Sequence, residues 1–423
     1  MRRKFDVLIV GGGPAGVSTA LCLRDSGLSA ALIDKAVFPR EKICGDGLTL
    51  DVVKQLALIS EELAASFGNF TSKWPCYSAE IFSPDYSQIS IAVRPKQEQR
   101  PMFTCRRADF DKFLIDQAKK LENISIFENT HPQKLVIDKD KVLLEAGEDT
   151  FEGRVIVGAD GVNSFVAREL GVERIGRGQQ CVALRTYYTG LKPLREGSQI
   201  EMYLPVETLP GYLWIFHLGD GTSNVGVGMP APVINKKGIN LRKCFEGLLM
   251  SEPLKSRLAG AMRMEAVKGY TIPYGGRRRS ISGHSFLLAG DAAALVDPIS
   301  GEGVGNSIRS GRVAAGHIIN CFRADDFSAG FNKAYDDEIY RRMMPEFKFH
   351  IMLRSLLKYP SLLNYFVGTA SGHPRVGRSL QKLVWNLGIN KLGSRIRLVL
   401  SLTYMFTLQG LFEPVSRPER KRA

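Results

Sequence analysis

A single thiol and a carboxylate stand close together in the segment FPREKICGDGL, residues 38 to 48. The thiol of Cys44 can move a proton or act as a small apolar side chain. The carboxylate of Asp46 is anionic unless it is desolvated. The seven cysteines of the chain include no CxxC pair and no evenly spaced framework, so the sequence indicates neither a disulfide scaffold nor a metal site.

A phosphate-binding pattern precedes this segment. The apolar run FDVLIV leads into GxGxxG, helical spacing follows in AGVSTALCLRDSG, and a second apolar run ends in an acid. Strand, glycine turn, helix and strand with a terminal acid form the βαβ unit that binds a dinucleotide, with its pyrophosphate at the helix N-terminus and its ribose on the acid. The residues expected to contact the cofactor here are Gly11, Gly13, Pro14, Ala15, Gly16, Asp34 and Lys35.

Two later segments also run from a buried strand into an acid. RVIVGADGVNSF reaches Asp160, and SFLLAGDAAALVDPISGEGV reaches Gly290 and Asp291 before a glycine-rich loop opens a helix. Ligands lie at the carboxyl ends of strands in doubly wound sheets, so three such ends should converge on one long cofactor. Since the chain has no second GxGxxG unit for a nicotinamide domain, that cofactor is predicted to be FAD. The loop residues expected to face the flavin are Pro298, Gly301, Gly303 and Val304, because a helix N-terminus stabilises the reduced, anionic ring.

Taken together, these segments resemble the FAD-dependent oxidoreductases of the aromatic-hydroxylase fold, and within them the geranylgeranyl reductase family. The resemblance implies that Asp291 binds the ribityl and phosphate region of FAD. It also implies that Arg107, in RADFDKFL, lies against the FAD and that Asp160 links to the flavin phosphate. Glu302 is interpreted as a structural or solvent-side carboxylate.

The thiol segment gives a finer resemblance. Its CGDG variant, with Cys44, Gly45 and Asp46, is similar to the corresponding segment of bacterial menaquinone reductases of this family. The resemblance implies that this segment lies beside the reactive face of the flavin and that Cys44 contacts the alkene end of the substrate. Cys44, Gly45 and Asp46 are therefore the predicted catalytic residues, and whether the thiol transfers a proton or shapes the pocket stays open.

An aromatic-rich stretch, residues 201 to 231, resembles the family's Y-x-W-x-F-P element at Tyr212, Trp214 and Phe216, with His217 in place of the proline. Strict strand alternation puts the three aromatic residues on one face, as sheet core or as an apolar tunnel for a prenyl chain. Flavin halogenases carry two tryptophans, then Ile and Pro, in a related element, so a halogenase is disfavoured. The predicted substrate residues are Tyr212, Trp214, Phe216 and His217.

The elements that position these residues are predicted to form an α/β fold. With 423 residues and 44% hydrophobic content, the chain has room for two or three subdomains. We predict a Rossmann-like FAD-binding domain with an inserted mixed-sheet substrate domain and a basic helical C-terminal region punctuated by Pro345, Pro360 and Pro374. The predicted segments are 1–70, 101–180 and 281–338 for FAD, 71–100 and 181–280 for substrate, and 339–423 for the C-terminal region.

The positive charge is concentrated in that last region. The formal net charge is +14, and residues 339–423 contain 15 Lys and Arg against three Glu. The apolar run 398–412 falls short of the ~20 residues that span a bilayer. The stretch 395–423 is predicted either to contact a membrane surface peripherally or to pack on the protein with a solvated basic face. The expected location is cytoplasmic or peripheral at the inner face of the membrane, and no motif indicates nucleic-acid binding.

These observations predict an FAD-dependent reductase of carbon–carbon double bonds in a prenyl or polyprenyl lipid of the geranylgeranyl or isoprenoid-quinone type. The partner is then an apolar, isoprenoid-like substrate. A flavin monooxygenase and a membrane-surface electron carrier are alternatives, because the flavin domain serves all three. NADPH and ferredoxin both stay open as electron donors, since NADPH can dock on this fold without its own domain and ferredoxin leaves no motif.

Overall fold

A computed structural model describes residues 1–92, 101–139 and 141–372. The strands in chain order are β1 (Arg2–Lys4), β2 (Val7–Val10), β3 (Ala30–Ile33), β4 (Gly47–Leu48), β5 (Trp74–Cys76), β6 (Ser78–Phe82), β7 (Gln88–Ala92), β8 (Met102–Thr104), β9 (Ile124–Phe127), β10 (Pro132–Asp138), β11 (Lys141–Ala146), β12 (Asp149–Gly153), β13 (Val155–Gly158), β14 (Gln180–Thr189), β15 (Ile200–Tyr203), β16 (Tyr212–His217), β17 (Thr222–Pro230), β18 (Met262–Arg263), β19 (Lys268–Pro273), β20 (Ser282–Gly283) and β21 (Phe286–Leu288). The helices are α1 (Pro14–Cys22), α2 (Leu50–Ile59), α3 (Glu61–Asn69), α4 (Arg107–Ala118), α5 (Phe165–Glu169), α6 (Ala231–Lys237), α7 (Leu241–Leu249), α8 (Leu254–Arg257), α9 (Val304–Ala324), α10 (Ala329–Leu356) and α11 (Pro360–Gly372).

A parallel sheet in the order β21-β13-β2-β3-β9, with β20 antiparallel at its edge, holds the predicted strand ends. Every residue of β2, β3 and β13 is buried, as expected for strands covered on both faces. Helices α1 and α9 pack closely against each other, since a Cβ atom at Gly311 of α9 would lie only 2.2 Å from the Ala15 carbonyl oxygen of α1. The predicted strands are confirmed, and because β21, β13, β2 and β3 are parallel, their carboxyl ends lie at the same edge of the sheet.

A second, mixed sheet stands apart from the parallel one. Its order is β18-β14-β17-β16-β15-β6-β7, and β19 also pairs with β14. Strand β6 runs parallel to β15, which joins the segment before residue 93 to the segment after residue 180. The predicted α/β fold with an inserted mixed sheet is confirmed, and its exact domain boundaries stay a prediction.

One predicted boundary falls inside a helix. Helix α10 runs continuously across residues 338 and 339 and also through Pro345, which was predicted to punctuate the chain. A proline inside a helix removes one hydrogen bond and crowds the carbonyl one turn before it, but Met344 and Phe347 are buried against neighbouring elements, so packing maintains the helix. Pro360 does open α11, as predicted. Pro374 and the stretch 395–423 lie outside the described residues. Within the described ranges no helix is both long and apolar enough to cross a bilayer.

Candidate active site

The glycine turn after β2 leaves backbone donors pointing outward. Asp34, at the end of β3, accepts hydrogen bonds from the Gly12 N–H at 2.6 Å and from the Ala36 N–H at 2.8 Å. No described side chain caps α1 at Gly13, so the first N–H groups of the helix stay available to an anion. The space at Gly13 is open up to the Arg40 guanidinium, 3.7 Å from a Cβ built there. Arg40 is a cationic neighbour that no sequence motif indicated.

The other two strand ends meet this turn. Gly11 lies against the backbone of Ala159 and Asp160, at the end of β13. Asp291 follows β21, and its carboxylate lies 3.6 Å from a Cβ built at Gly303, just before α9. The remaining cofactor residues predicted here differ in exposure: Lys35 is exposed, whereas Gly290, Pro298 and Val304 are buried.

The side chain of Asp160 is bonded to the start of helix α5. Its carboxylate accepts hydrogen bonds from the Ser164 hydroxyl at 2.5 Å and from the Phe165 N–H at 2.7 Å at the start of α5. Burial raises the pKa of Asp160, and these hydrogen bonds act in the opposite direction. These bonds shape the turn beside Gly11, and the implied link between Asp160 and the flavin phosphate stays a prediction.

The thiol segment lies directly on the aromatic strand β16. A Cβ atom at Gly45 would be 3.4 Å from the Phe216 ring and 3.5 Å from the Trp214 indole nitrogen. Asn224, on β17, joins the two elements: its side-chain amide donates to the Cys44 carbonyl at 2.7 Å and accepts from Trp214 at 2.9 Å. The loop and the aromatic wall therefore form one surface, with the half-buried Cys44 between them.

Asp46 is completely buried beneath this surface. Its carboxylate accepts from the Tyr187 hydroxyl at 2.5 Å, the Asn224 amide at 2.7 Å and the Arg107 N–H at 3.1 Å. Burial raises the pKa of Asp46, while these donors act in the opposite direction. The geometry thus makes Asp46 a hub that fixes the loop, and Tyr187 is a partner that no sequence pattern singled out.

Charged side chains lie near the Cys44 thiol, on the side away from the aromatic strand β16. The Arg107 guanidinium pairs with Asp111 through two bonds of 2.9 and 3.0 Å and reaches the Cys44 sulfur at 3.8 Å. Arg40 pairs with the same Asp111 at 3.1 Å. The Lys42 ammonium lies 3.2 Å from the centre of the Tyr270 ring, and burial lowers its pKa to about 8. The side chain of Cys44 therefore faces a buried, positively charged environment.

The four predicted substrate residues separate into two groups. The ring centres of Tyr212 and Trp214 lie 5.9 Å apart, and those of Trp214 and Phe216 lie 6.2 Å apart. All three rings are on the face of β16 toward the thiol segment. His217 points to the opposite face, where its ring is bonded to Ser223 at 2.8 Å and to Glu201 at 2.7 Å. This buried, fully bonded position does not support the predicted substrate contact of His217.

The residues present fit an FAD cofactor. Donors at the start of α1 and cationic Arg40 suit the pyrophosphate, and Asp34 has acceptor capacity left for a ribose hydroxyl. A second helix N-terminus, at α9, begins at the glycine-rich loop beside the aromatic wall. The Tyr212 hydroxyl donates to the Ser300 carbonyl of this loop at 2.6 Å. A flavin ring bound between loop, wall and Cys44 would contact all three.

Glu302, within the same loop, closes the first turn of α9 by accepting from the Gly305 N–H at 2.5 Å. Burial raises its pKa to about 7 from the usual 4.5, helped by the charges of Asp51 and Asp297 and opposed by the Gly305 hydrogen bond. Below about pH 7, the folded state therefore keeps the Glu302 carboxyl protonated. In agreement with its predicted structural role, Glu302 contacts the helix backbone.

This raised pKa predicts a pH-dependent stability. Between pH 4.5 and about 7, the unfolded chain ionises Glu302 while the folded chain keeps it protonated, so stability falls across this window and levels off above it. Thermal unfolding of the wild type and of Glu302→Gln should show the wild type losing stability relative to the variant as the pH rises through this range. Parallel curves at every pH would contradict the assignment.

Comparison with known proteins defines the class. A family model described as FAD binding domain matches residues 4–213. A menaquinone reductase of Mycolicibacterium smegmatis is 31% identical over 332 residues, covering 74% of this chain and 76% of the relative. A digeranylgeranylglycerophospholipid reductase of Methanocella arvoryzae is 29% identical and covers 80% and 83% of the two chains.

Solved structures agree on the fold. A geranylgeranyl bacteriochlorophyll reductase-like protein of Thermoplasma acidophilum aligns with a TM-score of 0.79 at 21% identity, covering 97% of this chain and all of the other. A flavin-dependent brominase, Bmp2, shares the fold at a TM-score of 0.72 and 22% identity. Fold and site thus define an FAD-dependent oxidoreductase. Within that class, the chain belongs to the geranylgeranyl reductase family.

Proposed function

We propose that this protein saturates carbon–carbon double bonds in the prenyl or polyprenyl chain of a lipid. One observation carries the proposal: the Cys44 loop lies on the aromatic face of β16 and is tied to it through Asn224. This arrangement offers an apolar wall with one thiol in it, which suits a hydrocarbon alkene better than a polar substrate. The names of the relatives, which are reductases of menaquinone and of a geranylgeranyl lipid, support the same substrate class.

The chemistry needs hydride at one alkene carbon and a proton at the other, without a carbonyl to stabilise charge. Bound reduced FAD would supply the hydride. Trp214 and Phe216 would hold the alkene in place, and such positioning is worth about 7 to 11 kcal/mol of barrier. Cys44 would stand at the proton side, while Asp46 and Asn224 fix its loop. The same apolar wall would exclude water from the reacting atoms.

The reaction can be tested without oxygen. Purified protein with chemically reduced FAD, supplied anaerobically with a polyprenyl quinone or a geranylgeranyl lipid, should give products heavier by two hydrogens per reduced bond in mass spectrometry. Hydroxylated product that forms only in air would instead identify a monooxygenase. Rapid flavin oxidation only after addition of an acceptor protein, with no lipid product, would identify an electron carrier.

The electron donor belongs to the same proposal. The two candidate donors are NADPH and ferredoxin. Anaerobic mixing of the oxidised holoprotein with each donor, followed by flavin absorbance, separates them: the physiological donor bleaches the flavin within the time of one turnover.

Membrane contact is proposed for residues 395–423, which combine an apolar run with flanking basic residues. Deleting this stretch should abolish sedimentation with anionic liposomes and leave FAD binding intact, because the predicted cofactor residues all precede residue 305. Neutral liposomes are the control for the electrostatic part, which salt should weaken. Unchanged sedimentation of the shortened protein would refute the proposal.

A further inference from the structure

Helix α10 fastens the loop that precedes α9. His350 and Arg354 are one turn apart on the face of α10 that packs toward this loop. The His350 ring nitrogen Nδ1 is hydrogen bonded to the Asp297 carboxylate, and the Arg354 guanidinium donates to the Pro298 carbonyl at 3.0 Å. Two adjacent residues of the loop are therefore fixed from a helix that contributes nothing else to the site described above.

Asp297 transmits this contact through the loop. Its second oxygen, Oδ1, accepts from the Ile299 N–H at 3.0 Å, the Ser300 N–H at 2.8 Å and the Ser300 hydroxyl at 2.8 Å. Burial alone would raise the pKa of Asp297, but the hydrogen bond and charge of His350 hold it below its usual value. His350 and Asp297 are both nearly completely buried, at 3% and 4% exposure.

The far end of the loop meets the proposed flavin position. The Ser300 carbonyl accepts a hydrogen bond from the Tyr212 hydroxyl at 2.6 Å. Gly303 then leads into α9. Among the described side chains, only Glu302 bonds to a backbone N–H of the first turn of α9, that of Gly305. The 21 residues of α9 direct their positive dipole end and free N–H groups at this point. The position of the loop decides how close these donors come to an anion bound there.

We propose that His350 and Arg354 are positioning residues: through Asp297 and the Pro298 carbonyl they hold the N-terminus of α9 against the pyrimidine edge of the flavin. The inference rests on the proposed function only for the orientation of the bound flavin. Reduced flavin is anionic at that edge and oxidised flavin is neutral, so a well-placed helix N-terminus stabilises the reduced form selectively. The two residues of α10 thereby raise the reduction potential of the cofactor.

The test is the reduction potential of bound FAD in His350→Leu and Arg354→Met, measured anaerobically against indicator dyes. Loosening the loop should weaken binding of reduced relative to oxidised FAD about tenfold in each variant, which lowers the two-electron potential by about 30 mV. The dissociation constant of oxidised FAD should change by no more than a few-fold. His350→Asn, which keeps a nitrogen donor near the position of Nδ1, should restore most of the potential.

Two matched variants control for general destabilisation. His317→Leu removes another buried imidazole, which contacts Asn332 at the α9–α10 interface. Arg341→Met removes an exposed arginine of α10 that pairs with Glu338. Both should leave the flavin potential unchanged even where the unfolding temperature falls.

Unchanged potentials in His350→Leu and Arg354→Met, or an equal shift in His317→Leu, would overturn the inference. If His350→Leu does not fold, Arg354→Met and His350→Asn still test the inference. It predicts a lowered reduction potential for Arg354→Met and a near-normal potential for His350→Asn. The outcome is independent of substrate. If the wild type reduces no lipid, the proposed function is refuted. The flavin reduction potentials of the variants can still support or refute the positioning role of His350 and Arg354.

Discussion

Gly16→Ala should abolish FAD binding. A Cβ atom at this position would lie 1.9 Å from the Gly11 carbonyl oxygen and 3.2 Å from the side chain of Ile9, and the first of these atoms is backbone that cannot rotate away. The turn must open, which displaces the free N–H groups of α1 from the pyrophosphate. Forcing an extra methyl group into a packed site costs about 1 to 3 kcal/mol, and backbone displacement here adds the loss of the cofactor. Flavin absorbance after gel filtration measures the result.

The matched control is Gly316→Ala, in the interior of α9. Its added methyl group meets no heavy atom within 4 Å, and alanine favours a helix over glycine by up to about 1 kcal/mol, so FAD retention should be unchanged and stability slightly higher. A Gly16→Ala protein that retains a full complement of FAD would show that the α1 turn is not the phosphate site.

Cys44→Ala should lower alkene turnover by about a hundredfold, the lower range for loss of a positioned proton donor. The reason lies in the position of the thiol between the aromatic wall and the Arg107 guanidinium, 3.8 Å from its sulfur. Cys44→Ser keeps a hydroxyl that can relay a proton and should recover part of the rate. Single-turnover oxidation of reduced flavin by substrate, under anaerobic conditions, measures the step directly.

The control for this substitution is Cys22→Ala, which removes a half-buried thiol at the end of α1, away from the aromatic wall. Both alanine variants should bind FAD normally. Equal turnover in wild type, Cys44→Ala and Cys44→Ser would show that the reaction does not depend on the thiol. A decrease in the serine variant as large as that in the alanine variant would point to the apolar size of sulfur and away from proton transfer.

The strands of the parallel sheet could be predicted because the residues that define each strand are consecutive in the sequence. Runs such as VLIV and AALI are buried on both faces, and each is followed by the turn residues that bring the chain to the ligand edge. The resemblance of the thiol segment to the family added the substrate class. Helix α10 was harder, since Pro345 is a local signal for interruption that tertiary packing overrides.

The site was predictable only in part. The alternation that put Tyr212, Trp214 and Phe216 on one face also puts His217 on the other, so the inclusion of His217 among the substrate residues went against the strand pattern. Tyr187 and His350 carry no motif, because their roles come from contacts with Asp46 and Asp297 that are 141 and 53 residues away in the chain. Such long-range pairs cannot be read from spacing.

The order of strands in the two sheets has a consequence for synthesis. Strand β2 is among the first to leave the ribosome, but its sheet is completed only by β21, at Phe286–Leu288. Likewise β6 must wait for β15, at Ile200–Tyr203, before it has its parallel partner. Until then the nascent chain carries unpaired strand edges and an incomplete cofactor cleft, the condition in which chaperones act. We therefore expect FAD to bind only after the strands of the parallel sheet have assembled.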